Sequence, residues 1–246
     1  MKKSILIMAI IIASYIASAQ TADQIMSKVQ QNERIKSTTS TVKQIITTNT
    51  GSKRTLEMES FSKDYNQSQL SVYTNPARVK GDKILLMNDG DDIWFYTPKT
   101  DRVRHLASHA KKQKVQGSDF SYEDYENWDY KKDFKTTLLD KERLNGIICF
   151  KLELIPTESG PHYSKMVVWV DTEKYIVLKV DYYEDGELFK TLQCKEIKKI
   201  SDHWLAMKMI MTNRQDGGST TMETTNIKIN IDLDNSLFTT NNLQKR

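Results

Sequence analysis

The 246-residue sequence predicts a mainly β protein built on one large antiparallel sheet. Three observations carry this prediction. From about residue 34 onward, apolar and polar residues alternate with a period of two, the pattern of half-buried strands. Turn signals such as Asn88-Asp89-Gly90, Asn145-Gly146, Glu184-Asp185-Gly186 and Asp216-Gly217-Gly218 separate the alternating runs at close intervals. Connections that short leave little room for crossover helices. The composition agrees: 9 Gly, 4 Pro and 9% aromatic residues exclude collagen-like, low-complexity and disordered chains. A chain of this length buries a sizeable core and fits one all-β domain.

Residues 1–19 begin Met-Lys-Lys, continue as an apolar run from Ile5 to Ile16, and end in Ala17-Ser18-Ala19. A short basic start, an apolar core and an A-x-A-like end describe a secretory signal peptide cleaved after Ala19. The run falls short of the ~20 apolar residues that span a bilayer. No Cys occurs in residues 1–20, so an N-terminal lipid anchor is not expected. The expectation is a protein of residues 20–246, one domain, in the periplasm or outside the cell.

One helix opens that chain. Thr21-Ala22-Asp23-Gln24 has capping-box spacing, and Ile25, Met26 and Val29 follow on one face. The alternation then begins at Val42, Gln44, Ile46 and Thr48. It continues through residues 55–61, 69–74, 84–87, 91–96, 134–139, 147–154, 163–170, 176–183, 188–196, 204–212 and 220–231, which makes about eleven strands. Between them, residues 105–132 are polar and charged without alternation, and are expected to hold loop and short helix across the sheet or its mouth.

Several functions are disfavoured. Without Lys2 and Lys3 the balance is 34 basic to 32 acidic residues, and no basic stripe interleaved with aromatics appears, so nucleic acid is not an expected partner. There is no G-x-S-x-G, no phosphate-cradling Gly-rich loop, and no catalytic setting for His105, His109, His162 or His203. The i, i+4 spacing of His105 and His109 lacks an adjacent Glu and a third ligand, so no metal and no cofactor are expected. Cys149 and Cys194 lie in separate strand-like runs, and both two free thiols and a bridge fit the sequence. The chain is not expected to be an enzyme.

The strands carry more apolar face than one helix can cover. Leu205, Met207, Met209 and Met211 form one such face; Ile227, Ile229 and Ile231 form another. Further faces are Ile148, Phe150, Leu152 and Leu154, then Ile176, Leu178, Val180 and Tyr182. Either the sheet closes into a packed barrel, or it curls into a half-barrel around a cavity. A row of Met suits an adaptable lining and serves equally as core filler. On the cavity reading the lining is Phe150, Leu152, Trp169, Leu178, Leu205, Met207, Met209, Met211 and Ile229, with Trp94, Tyr96, Phe120 and Tyr122 at the rim.

A set of short motifs points further. Val79-Lys80-Gly81, Asp91-Asp92-Ile93-Trp94-Phe95-Tyr96-Thr97-Pro98, Arg102-Val103-Arg104, and the octet Gly117-Ser118-Asp119-Phe120-Ser121-Tyr122-Glu123-Asp124 are similar to the periplasmic outer-membrane lipoprotein-sorting proteins of the LolA/LolB-type carrier superfamily. Val168-Trp169-Val170-Asp171 and residues 183–190 extend the resemblance, which runs from about Asn75 to the C-terminus. His105 stands where the family pattern has a second consecutive Arg. The resemblance implies an incomplete, strongly curved antiparallel barrel with a helical or loop lid over an apolar cavity. It further implies a monomeric carrier for lipid or lipoprotein acyl chains, working between an inner-membrane transporter and an outer-membrane acceptor. A cargo-free subunit that docks an envelope protein is the rival expectation. The charges suggest a latch for the lid: Arg102 or Arg104 paired with Asp119 or Glu123.

Overall fold

The computed structural model describes residues 20–158 and 161–245, so the predicted leader lies outside the described residues. The first element is helix α1 (Ala22–Glu33), where the Thr21 hydroxyl accepts from the Gln24 amide and the Gln24 side chain accepts from Thr21 N. Its apolar stripe, Ile25, Met26 and Val29, is buried.

Thirteen strands follow: β1 (Ser37–Thr47), β2 (Lys53–Lys63), β3 (Ser68–Asn75), β4 (Lys83–Met87), β5 (Asp92–Thr97), β6 (Arg102–Leu106), β7 (Phe134–Leu144), β8 (Ile147–Pro156), β9 (Lys165–Asp171), β10 (Val177–Glu184), β11 (Glu187–Ile200), β12 (His203–Asn213) and β13 (Ser219–Ile229). They form a single antiparallel sheet in the order β6-β5-β4-β3-β2-β1-β13-β12-β11-β10-β9-β8-β7. Thirteen strands exceed the eleven or so expected, and the one that no alternating run predicts is β6. It is an edge strand whose Arg102, Arg104 and His105 hide the alternation, as charged side chains on sheet edges commonly do.

The order explains the architecture. The chain starts in the middle of the sheet at β1 and works outward to one edge at β6. It then crosses to the opposite edge at β7 and returns inward to lay β13 beside β1. The two edges do not pair, so the barrel stays open, and residues 107–133 are the strap that joins them. The strap holds three short 3₁₀ turns, Ser108–Lys112, Val115–Gly117 and Tyr122–Tyr125, and one helical turn, α2 (Tyr130–Asp133).

The inner face of the sheet packs against α1 and the strap. One cluster joins Ile25, Met26 and Val29 to Phe120, Phe150, Leu152, Leu154, Met166, Val168, Val180, Met211 and Met222. A second joins Ile46, Leu56, Met58, Tyr73, Ile84 and Ile93 to Val115 and Tyr122. On the outer face, the C-terminal turn Asn235–Phe238 and α3 (Thr240–Leu243) cover the β3–β5 end: Phe238 and Leu243 pack on Leu70, Leu85 and Tyr96. No helix among the described residues is long and apolar enough to cross a membrane.

Candidate functional site

The site is the inner face and the strap that lies on it. Phe150 and Leu152 stand on that face, as do Met209 and Met211 on β12, and Phe120 and Tyr122 press onto it from the strap. Leu205, Met207 and Ile229 mark a split in the sheet. There β12 and β13 pair only between residues 208–212 and 219–223, while β12 continues beside β11 and β13 beside β1. The end of α1 is fixed at the split, where the Asn32 side chain accepts from Trp204 N and donates to Trp204 O.

Two predicted rim residues and two predicted lining residues lie on the other face. In β5, Ile93 and Phe95 face inward, which puts Trp94 and Tyr96 under the C-terminal cover. In β9, Met166, Val168 and Val170 face inward and Trp169 outward. Both faces of β9 are buried, so its apolar run carries no sign of which is which. Leu178 is displaced by a bulge: the register slips between Val177 and Lys179, so Ile176 and Leu178 face outward while Val180 and Tyr182 face inward.

The predicted latch is corrected in the same way. Arg102 and Arg104 are exposed on edge strand β6, and the Arg104 guanidinium lies 5.4 Å from the Phe95 ring centre. Asp119 is held by Thr220, whose hydroxyl donates to it at 2.7 Å and accepts from its amide at 2.9 Å, and by Lys114 at 3.3 Å. Glu123 pairs with His162 at 3.2 Å. The octet spans the sheet: Tyr122 packs over β2–β5, where its hydroxyl feels the Arg104 charge, while Asp119 and Glu123 turn away from the arginines to Thr220 on β13 and His162 before β9.

The most buried ion pair is one the sequence did not single out. Lys190 on β11 points inward and is 1% exposed; its ammonium meets Asp124 Oδ2 at 2.6 Å, and that carboxylate is 3% exposed. Asp124 also accepts from Tyr163 Oη at 2.8 Å and from the Ser121 amide at 2.7 Å. Burial, and then the Asp124 charge, push the Tyr163 hydroxyl well above its ordinary pKa, so it stays a donor. Burial and the same carboxylate act likewise on Tyr182. The signal was present: Lys190 shares parity with Leu188 and Leu192, which places a cation on an apolar face.

Further ties fasten the strap along its length. The Asn127 amide donates to Asp89 O at 2.9 Å, and Gln69 donates to Tyr125 O at 2.8 Å. Lys111 bridges Asp91 at 3.1 Å and Glu126 at 2.9 Å. Gly90, at φ +103°, lets the strap backbone pass, because a Cβ there would stand 3.1 Å from Glu126 Cα. The 88–90 segment is thus the turn the sequence predicts, and the strap crosses over it.

The strap also fills the bowl. The apolar cavity that the resemblance implies is, in this conformation, taken by Val115, Phe120, Tyr122 and Tyr125, aromatic and aliphatic side chains that leave water by packing there. Two clefts of about 490 and 480 Å³ lie elsewhere, one beside Lys36, Lys63 and Asp232, the other beside Asp23, Lys28 and Lys131. Among the described residues the inner face carries unmet polar atoms: Gln44, 0% exposed between Met222 and Leu56, has no hydrogen-bond partner at either amide atom, and Arg54 Nε has none. Cys149 and Cys194 are free thiols on β8 and β11, and burial raises the pKa of both. Among the described residues no group of three or more His, Cys, Asp or Glu is placed to hold a metal ion.

A family model described only as an uncharacterized protein matches residues 65–245. Among solved structures, an outer membrane lipoprotein-sorting protein domain from Vibrio parahaemolyticus is 31% identical over 90% of this chain and 97% of its own, with a TM-score of 0.84. A DUF1329 family protein from Desulfovibrio piger is 25% identical over 92% and 100%, also at 0.84. A LolA superfamily protein from Nitrosomonas europaea shares the fold at 22% identity over 91% and 100%, at 0.76. No curated protein sequence matches the chain.

Proposed function

This chain belongs to the family of outer membrane lipoprotein-sorting proteins, and on that premise we propose that it is a non-enzymatic carrier of acyl chains. It shelters the chains of lipids or lipoproteins in the bowl of the open barrel and hands them toward the outer membrane. It works as a monomer in the periplasm, between an inner-membrane donor and an outer-membrane acceptor.

One observation carries the reading: a continuous apolar inner face from β8 to β13 is covered by a strap whose ties are largely polar. An acyl chain in water costs ~0.8 kcal/mol per methylene, so transit between membranes requires a dry container. The strap's aromatics occupy that container when it is empty, and cargo displaces them. A lining and a gate suffice, with no catalytic group.

A second reading is favoured by the packing of the bowl. With Phe120, Tyr122 and Tyr125 in place, a protein that never opened would serve as a docking subunit, and Leu139, Ile147, Ile148 and Ile155 are exposed along β7 and β8 at one sheet edge. Gentle purification from periplasm, organic extraction and mass spectrometry separate the two. Stoichiometric phospholipid or acylated peptide is the expected result. An empty protein that also takes up no fluorescent fatty acid would leave the docking reading.

A further inference from the structure

We propose that Lys190 and Tyr163 form the recognition point for an acidic head group. When the strap lifts, the oxyanion of an acyl-bearing ligand, carboxylate or phosphate, takes the place that Asp124 holds in the closed state. The proposal rests on the carrier reading and adds the class of cargo.

The argument begins with where the partners of Lys190 come from. Its ammonium has two hydrogen-bond acceptors among the described residues, Asp124 Oδ2 at 2.6 Å and Ser121 Oγ at 3.4 Å, and both belong to the strap. The rest of its surroundings are ring faces: Tyr163, Tyr182 and Phe189 centre 5.0, 5.2 and 5.6 Å from it. Lifting residues 121–124 therefore strips Lys190 of both these acceptors while leaving it at the floor of an apolar bowl. Aromatic faces compensate only part of the loss. A buried charge deprived of its partner strongly disfavours that state.

An arriving oxyanion removes the difficulty. Tyr163 lies outside the strap, and its hydroxyl, released from Asp124 at the same moment, becomes a second donor beside the ammonium. One cation and one hydroxyl then converge on the position of the departed carboxylate. Phe150, Leu152 and Met211 supply apolar surface for the chain on the same face. Asp124 is in this sense an internal stand-in for the ligand's charge. A neutral acyl compound opens the strap at the cost of an unpaired Lys190; an acidic one does not.

The test compares a pyrene-labelled dodecanoic acid with its methyl ester and with the matching amine, by fluorescence titration of the purified protein. The expected result is that the acid binds about tenfold or more tightly than the ester, the effect of one hydrogen bond between charged groups, and that the amine binds weakest. In the double variant Lys190→Met/Asp124→Asn, which leaves neither buried charge alone, the acid-to-ester ratio falls to about one, while Lys190→Arg retains the preference. A pyrene-labelled phosphatidic acid run alongside tells phosphate from carboxylate. Equal affinity of the wild type for acid and ester, an amine that binds as well as the acid, or a preference that survives in the double variant overturns the proposal and leaves the carrier reading standing. If the double variant does not fold, the wild-type series of acid, ester and amine decides alone. Failure to bind any of the probes overturns both.

Discussion

The sheet wears two covers, and they are built from different chemistry. The C-terminal cover on the outer face is an apolar joint: Phe238 and Leu243, with Leu233 and Leu237 beside them, close on Leu70, Leu85 and Tyr96. The strap on the inner face is a mixed joint. It presses Phe120, Tyr122 and Tyr125 onto apolar residues, but its position is set by Asp124 on Lys190, Asp119 on Thr220 and Glu123 on His162. Apolar contact is non-directional and yields gradually, whereas buried polar ties hold one geometry and are lost together when it is lost. The first cover reads as permanent core and the second as a part with a closed position and an open one. Both ends of the strap are fixed, at β6 and at β7, so opening bows the strap away from the sheet and does not swing it on a hinge.

The comparison breaks most severely at the buried pair. Asp124→Ala leaves Lys190 without its carboxylate and is expected to lose about 4 kcal/mol in denaturant unfolding, with amide protection collapsing first in residues 107–133. If protection of the strap survives that change, the two covers are alike and the distinction fails. Leu243→Ala empties a fully buried site in the other cover and should cost about 3 kcal/mol. Its signature differs: global stability falls while uptake of a fluorescent fatty acid keeps its wild-type rate.

Smaller changes sharpen the picture. Thr220→Val removes the hydroxyl that both donates to and accepts from Asp119, and should cost about 2 kcal/mol. Faster opening of the strap, read as faster probe uptake, accompanies it. Arg104→Ala is expected to shift stability by no more than about 0.5 kcal/mol, because the side chain is exposed and meets the Phe95 ring face and, through its charge, the Tyr122 hydroxyl. A large effect on probe release would return the latch to the arginines.

What was legible in the sequence follows from where a single periodicity decides the outcome. The cap at Thr21, the turn at Asn88-Asp89-Gly90 and the long strands were legible because capping spacing, turn chemistry and period two each have one local reading. Strand β6 was not, since its Arg and His side chains face solvent at an edge. The inner face was legible at Phe150, Leu152, Met209 and Met211, and illegible at Trp169, where both faces are apolar, and at Leu178, where a bulge reverses them. The octet was visible as a motif, but its partners were not: Lys190 and Thr220 lie 66 and 101 residues away in sequence, and only the return of the chain from β7 to β13 brings them under it.

The central claim is that cargo and strap side chains compete for the same bowl. Hydrogen exchange of the protein with and without saturating pyrene-labelled dodecanoic acid tests it directly, because interiors are close-packed and leave no room for both. The account predicts that amides of residues 118–125, including that of Asp119 on Thr220, exchange faster when the ligand is bound, while those of residues 235–243 keep their rates. Bound ligand with unchanged exchange in the strap, or equal loosening of the two covers, would contradict it.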